Sequence, residues 1–160
     1  MKLLSTQVGK PNMAKKSSSV SEKHDAPAST HFEVMLAADI STISPVVTWV
    51  MYLVREMEYS AGKEFQIELA LREALANAVV HGCNSDPSKR IECSVTSDED
   101  RGILIVVRDP GKGFDAAKVP SPTNEQNIFS DHGRGIFLIN GLMDEVQYEL
   151  NGAEIQMRKY

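Results

Sequence analysis

Glu73 and Asn77 stand four residues apart in "ELALREALANAVVHGCN" (Glu68–Asn84), a run otherwise dominated by Leu, Ala and Val. On a helix, positions i and i+4 share a face, so both side chains can point into one cavity. Buried there, each costs free energy unless something satisfies it. An amide oxygen suits a hard cation such as Mg²⁺, which takes few protein ligands and fills its shell with waters and phosphate oxygens. A carboxylate one turn away can accept a proton from a hydroxyl or a water. Taken alone, the pair reads as two ordinary hydrogen-bonded helix residues, and only its company changes that.

Two further stretches supply the company. "DPGKGF" (Asp109–Phe114) follows the strand-like run "ILIVVRD". A carboxylate at a strand end accepts hydrogen bonds, and the exocyclic amine of adenine is a donor. Gly111 and Gly113 would let the backbone approach a flat base closely. The plainer reading is an Asp-Pro-Gly turn. "GRG" (Gly133–Gly135) precedes another apolar run. Helix N-termini present unpaired N–H groups, glycines admit phosphates to them, and Arg134 adds a charged donor. The plainer reading there is a flexible lead-in loop. The Pro-, Ser- and Asn-containing segment between these glycine boxes would then form a lid.

Three rival chemistries fail on spacing. Gly111-x-Gly113-x-x-Ala116 fits a loose dinucleotide fingerprint, but Pro120 and Pro122 stop the long helix that fingerprint needs. No G-x-x-x-x-G-K-[ST] run exists. His81, Cys83, Cys93 and His132 lack the paired C-x₂-C spacing of a structural zinc site.

The elements that must position these residues are legible in outline. Residues 1–30 are poor in large apolar side chains and rich in Ser, Lys, Ala and Pro, as a disordered tail is. Residues 31–160 are expected to form one domain. "HFEVMLA" alternates at period 2, as a half-buried strand does. "DISTISPVVTWVMYLVREM" carries helical spacing, with Ser44 as the expected N-cap and Pro45 at the first helical position. A second helix is expected from Glu64 to about His81, closed by Gly82. "RIECSVTS" and "GILIVVRD" read as a hairpin, "GRGIFLINGLMDEV" as a third helix, and "VQYEL" with "AEIQMRK" as a final hairpin around Asn151-Gly152. Paired strands with fewer helices predict an α+β two-layer sandwich: a mixed, mostly antiparallel sheet covered on one face by helices.

Composition narrows the partners. A net charge of −5 offers no global basic field for nucleic acid. No apolar run approaches the ~20 residues that span a bilayer, so no membrane association is expected. Two cysteines make no disulfide framework, which predicts a cytoplasmic protein with reduced thiols.

In their order along the chain, "EALANAVVHG", "VVRDPGKGF" and "GRGIFLINGLMDEV" resemble the N box and two glycine boxes of the GHKL ATPase superfamily. The closer resemblance, over about residues 31–160, is to the anti-sigma-factor serine/threonine kinases, a family of switch kinases. That resemblance implies the GHKL (Bergerat) ATP-binding fold, with ATP and Mg²⁺ as cofactors. It implies Glu73 as general base, Asn77 as Mg²⁺ ligand and Asp109 as acceptor for the adenine amine. Gly111 and Gly113 would shape the base pocket, while Gly133, Arg134 and Gly135 would meet the phosphates. The implied function is partner switching. The protein would sequester a sigma factor and phosphorylate a STAS-type anti-anti-sigma factor. Two alternatives stay open: an ATP-dependent sequestering module without transfer, and a kinase of a STAS protein in a pathway without a sigma factor. A homodimer is also implied, and Trp49, Met51 and Tyr52 offer apolar surface for one. The chain departs from the family pattern twice. Asp131 and His132 stand where a basic residue is common, and the last hairpin offers Glu154 or Gln156 where many members place a Thr beneath the adenine-binding Asp.

Overall fold

The computed structural model describes residues 30–56, 61–98, 100–113 and 134–160. Five strands form one sheet in the order β1-β2-β3-β5-β4, and all four pairings are antiparallel. They are β1 (Thr30–Ala37), β2 (Arg90–Asp98), β3 (Gly102–Arg108), β4 (Glu145–Glu149) and β5 (Glu154–Lys159). Among the described residues three helices, α1 (Ile43–Arg55), α2 (Glu64–Asn77) and α3 (Arg134–Leu142), make the second layer, with α2 packed between the other two. The expected α+β two-layer sandwich is the fold that forms.

Strand alternation builds the interface between the layers. Phe32, Val34 and Leu36 of β1 turn inward, as do Ile91, Cys93 and Val95 of β2 and Ile103, Ile105 and Val107 of β3. They meet Val47, Val50, Met51 and Val54 of α1 and Ile67, Leu71 and Leu75 of α2. Each fully buried side chain of this size contributes roughly 1.5–3 kcal/mol relative to exposure. Outward positions such as Glu33, Glu92, Ser94 and Thr96 are polar, which leaves the other face of the sheet wettable.

Several expected boundaries shift for local reasons. Ser44 is not the N-cap of α1. A short 3₁₀ turn (Ile40–Thr42) starts the helical course earlier, and its own cap is Asp39, whose carboxylate accepts from the Ser41 N–H at 2.7 Å. Ser44 then lies inside the first turn of α1, where its hydroxyl accepts from Arg72 at 3.3 Å. The third helix stops at Leu142, because Asp144 donates its N–H to Arg158 and the chain is already entering β4. The last hairpin turns through four residues, Leu150–Ala153, and not the two of Asn151-Gly152. Leu150, Asn151 and Gly152 all have positive φ there. Of the apolar trio on α1, Met51 is buried and Trp49 stacks edge-on against Phe32 at 4.8 Å between ring centres, so Tyr52 alone is exposed. The expected tail lies outside the described residues except for Thr30, which opens β1.

Candidate nucleotide site

α2 carries Glu73 and Asn77 one turn apart, both half-buried, on the central helix of the layer. Facing Glu73 is the first turn of α3. The Glu73 carboxylate lies so close to the Cα of Gly135 that any side chain there would overlap it. Glu73 therefore stands at a helix N-terminus, where unpaired N–H groups and the dipole favour negative charge. The glycine at 135 is what permits the approach. Arg134 is exposed at the head of the same helix. Gly133, the remaining residue expected to meet phosphates, lies outside the described residues, as do Asp131 and His132.

The exit from α2 is unusual. After Asn77 the helix widens into a π turn, Ala78–Gly82, in which the Cys83 N–H reaches back to Ala78 at 2.8 Å. Single π turns of this kind are frequent at functional sites. Gly82 was expected as an ordinary helix-closing glycine. Its φ is not positive, however, and the left-handed positions fall at Asn84 and Ser85. Gly82 lacks a side chain for another reason: the Asp109 carboxylate rests where one would be.

Asp109 immediately follows β3. Its N–H donates to the Ala153 carbonyl at 3.0 Å, and its Oδ1 accepts from the Gly111 N–H at 2.7 Å. A side chain at Gly111 would overlap both the Gly82 carbonyl and Asp109, and one at Gly113 would overlap the Asn151 carbonyl. Gly113 also has φ +71°, which disfavours any other residue. The first glycine box is thus clasped between the end of α2 and the last hairpin. Burial raises the Asp109 pKa, while the Gly111 N–H and the charge of Lys89 oppose the rise. Glu154 and Gln156 give Asp109 no support. They share the outer side of β5, where the Gln156 amide donates to Glu154 at 2.8 Å. The support comes instead from backbone.

A cleft of about 380 Å³ opens beside Asp109, Pro110 and Gly111 and is bordered by Arg90, Glu92, Arg108, Leu150 and Ala153. Neither Glu73 nor Asn77 lines it. The cleft adjoins the first glycine box from the β2–β3 end of the sheet and is separate from the α2–α3 groove.

The half-buried face of α2 offers an amide oxygen of the kind that suits a hard cation, and a carboxylate that fills the space beside Gly135 at the head of α3. Sequence reasoning missed Gly82, Asn151 and Ala153 as parts of this site. Gly82 left a signal as a glycine at a helix end, and Asn151 as half of the Asn151-Gly152 turn.

Comparison with known proteins agrees with this geometry. Residues 36–159 match the family model of the histidine kinase-like ATPase domain. The chain is 31% identical to an anti-sigma F factor of Priestia megaterium, over 59% of this chain and 68% of that protein. It is 28% identical to the serine-protein kinase RsbW of Bacillus velezensis, over 81% of this chain and 85% of the relative. With RsbW of Bacillus licheniformis the identity is 30%, over 66% and 69% respectively. Among the described residues no helix is long and apolar enough to cross a membrane. The chain belongs to the histidine kinase-like ATPase domain family, in its branch of anti-sigma factors and serine-protein kinases.

Proposed function

We propose that the protein is an ATP-dependent serine/threonine kinase and anti-sigma factor that works by partner switching in the cytoplasm. It would hold a sigma factor away from RNA polymerase and phosphorylate a Ser or Thr of a STAS-type anti-anti-sigma factor. The observation that carries this reading is the opposition of Glu73 and Gly135 across the α2–α3 groove, in a chain whose relatives bear the names of anti-sigma factors and serine-protein kinases.

In this reading Asp109 accepts from the adenine amine, and Gly111 and Gly113 let the base approach the backbone. Asn77 would hold Mg²⁺, which when bound neutralises phosphate charge. Gly133, Arg134 and Gly135 would receive the phosphates at the head of α3. Glu73 orients the acceptor hydroxyl and takes its proton as the new O–P bond forms and the γ-phosphoryl leaves ADP. Positioning and charge stabilisation supply most of the acceleration in such reactions. The active unit is a homodimer.

The alternative is an ATP-dependent sequestering module without transfer, which the presence of Asp131 and His132 before Gly133, where a basic residue is common, favours. Incubation with γ-labelled ATP and candidate STAS proteins decides between the two. Label on a Ser or Thr of one of them supports the kinase. ATP binding with no transfer to any would leave the sequestering module.

A further inference from the structure

The loop that follows the π turn, Cys83–Lys89, is fastened along most of its length by short-range bonds. Asp86 accepts from the Ser88 N–H at 3.0 Å and from its hydroxyl at 2.6 Å. Lys89 donates its N–H to the Asp86 carbonyl, and the Lys89 carbonyl accepts from Ala38 at the end of β1. The Lys89 side chain does something different. It is half-buried and turns back along the loop, and its Nζ donates to the Cys83 carbonyl at 3.2 Å. That carbonyl belongs to the residue next to Gly82, on which the Asp109 carboxylate rests.

We propose that Lys89 is a positioning residue of the base pocket: its ammonium ties the loop to the exit of α2 one residue from the Gly82 on which the Asp109 carboxylate rests, and its positive charge favours the ionised carboxylate. This rests on the reading of Asp109 as the adenine acceptor. The physical reason is that Asp109 is half-buried beside a fully buried thiol, Cys83, where burial disfavours its charge, and the Gly111 N–H and a nearby cation both counter that.

Of charged and titratable neighbours, the α2 exit offers His81 and Cys83, and the loop offers Asp86 and Lys89. β2 begins with Arg90 and Glu92, and Arg108 and Lys112 flank Asp109 in its own segment. The hairpin side offers Glu154, bonded to Gln156. Arg90 is folded onto the carbonyls of Pro87, Ser88 and Lys89. Among all of these only Lys89 lowers the Asp109 pKa through its charge. A merely structural lysine would hold the loop without that effect.

The test is calorimetric titration of ADP into the full chain from pH 5 to pH 8, for wild type, K89Q, K89R and D109N. Differences from wild type cancel the nucleotide's own titration. K89Q is expected to bind roughly tenfold more weakly. It should also lose affinity at a higher pH on acidification than wild type does, because its Asp109 protonates earlier. K89R keeps the charge, so its affinity and pH dependence should stay within about twofold of wild type. A K89Q profile that falls at the wild-type pH overturns the proposal, even if affinity is uniformly weaker, since that marks a strut. If K89Q does not fold, K89R decides: binding as weak as in D109N overturns the proposal, and near-wild-type binding supports it. Should D109N lose binding while K89Q is unaltered, only the role of Lys89 falls. Wild-type affinity in D109N overturns the base-pocket reading and this inference together.

Discussion

The Glu73 carboxylate lies against the Cα of Gly135, so a helix from early in the chain and one from late in it share a gap with no room for a methyl group. The gap is a carboxylate on one wall and a helix N-terminus on the other. This makes Gly135→Ala a sharp probe. Relief of the overlap requires Glu73 to turn or α3 to shift, at about 1–3 kcal/mol for an overpacked site. Misplacement on the scale of an ångström costs on the order of a hundredfold in rate. Phosphoryl transfer is expected to fall by that order, and thermal melting should show only a modest loss.

Glu73 and Asn77 should separate by phenotype. Glu73→Gln keeps shape and hydrogen bonding but cannot take a proton, so transfer should drop by roughly 10²–10⁴-fold with Mg-ATP affinity nearly intact. Asn77→Ala removes the proposed metal ligand and should weaken Mg-ATP binding and transfer together. Calorimetry beside a labelled-phosphate assay reads both. Equal loss of nucleotide affinity in the two variants would make Glu73 structural.

Asp109→Asn should move stability and binding in opposite directions. Burial raises the folded-state pKa of this acid, so its ionised form costs stability above that pKa, and the cost is relieved as pH falls through it. The neutral amide avoids that cost and can still accept from Gly111. The nucleotide-free melting temperature should therefore rise or hold at neutral pH. Adenine nucleotides should bind about ten- to a hundredfold more weakly, because an amide can present its NH₂ to the base amine. A lower melting temperature with unchanged affinity would contradict both halves.

Both thiols should be silent in the native protein. Cys83 and Cys93 are buried, and burial pushes the Cys93 thiol up to about 12. Thiolates are the reactive species. A chromogenic thiol reagent at pH 8 should find almost no reaction before denaturant is added and two equivalents afterwards.

Leu71→Ala tests the layer interface. Leu71 is fully buried on α2 between the sheet and its helix neighbours. Its truncation should cost about 2–5 kcal/mol in urea unfolding. Loss of nucleotide binding in proportion would show that the position of α2 sets the site.

Much of this protein was legible in its sequence because the relevant physics is local. Period-2 alternation placed β1, two strand-like runs joined by an acidic turn placed β2 and β3, helical spacing placed the body of α1 and α2, and the i, i+4 relation put Glu73 and Asn77 on one face. The resemblance of three short motifs pointed to the family that the comparisons bear out. What the sequence could not carry was contact between segments distant in the chain. Gly82 reads locally as a helix stop, yet its reason is the Asp109 carboxylate from the end of β3. Gly135 reads as a phosphate glycine, yet it also makes room for Glu73. Glu154 and Gln156 were the candidates to support Asp109, but strand register turns them to the outer side of β5, and the Gly111 N–H takes that role. Periodicity reports which side of its own element a residue occupies. Only the packing of α2 against α3 and the first glycine box decides what stands across from it.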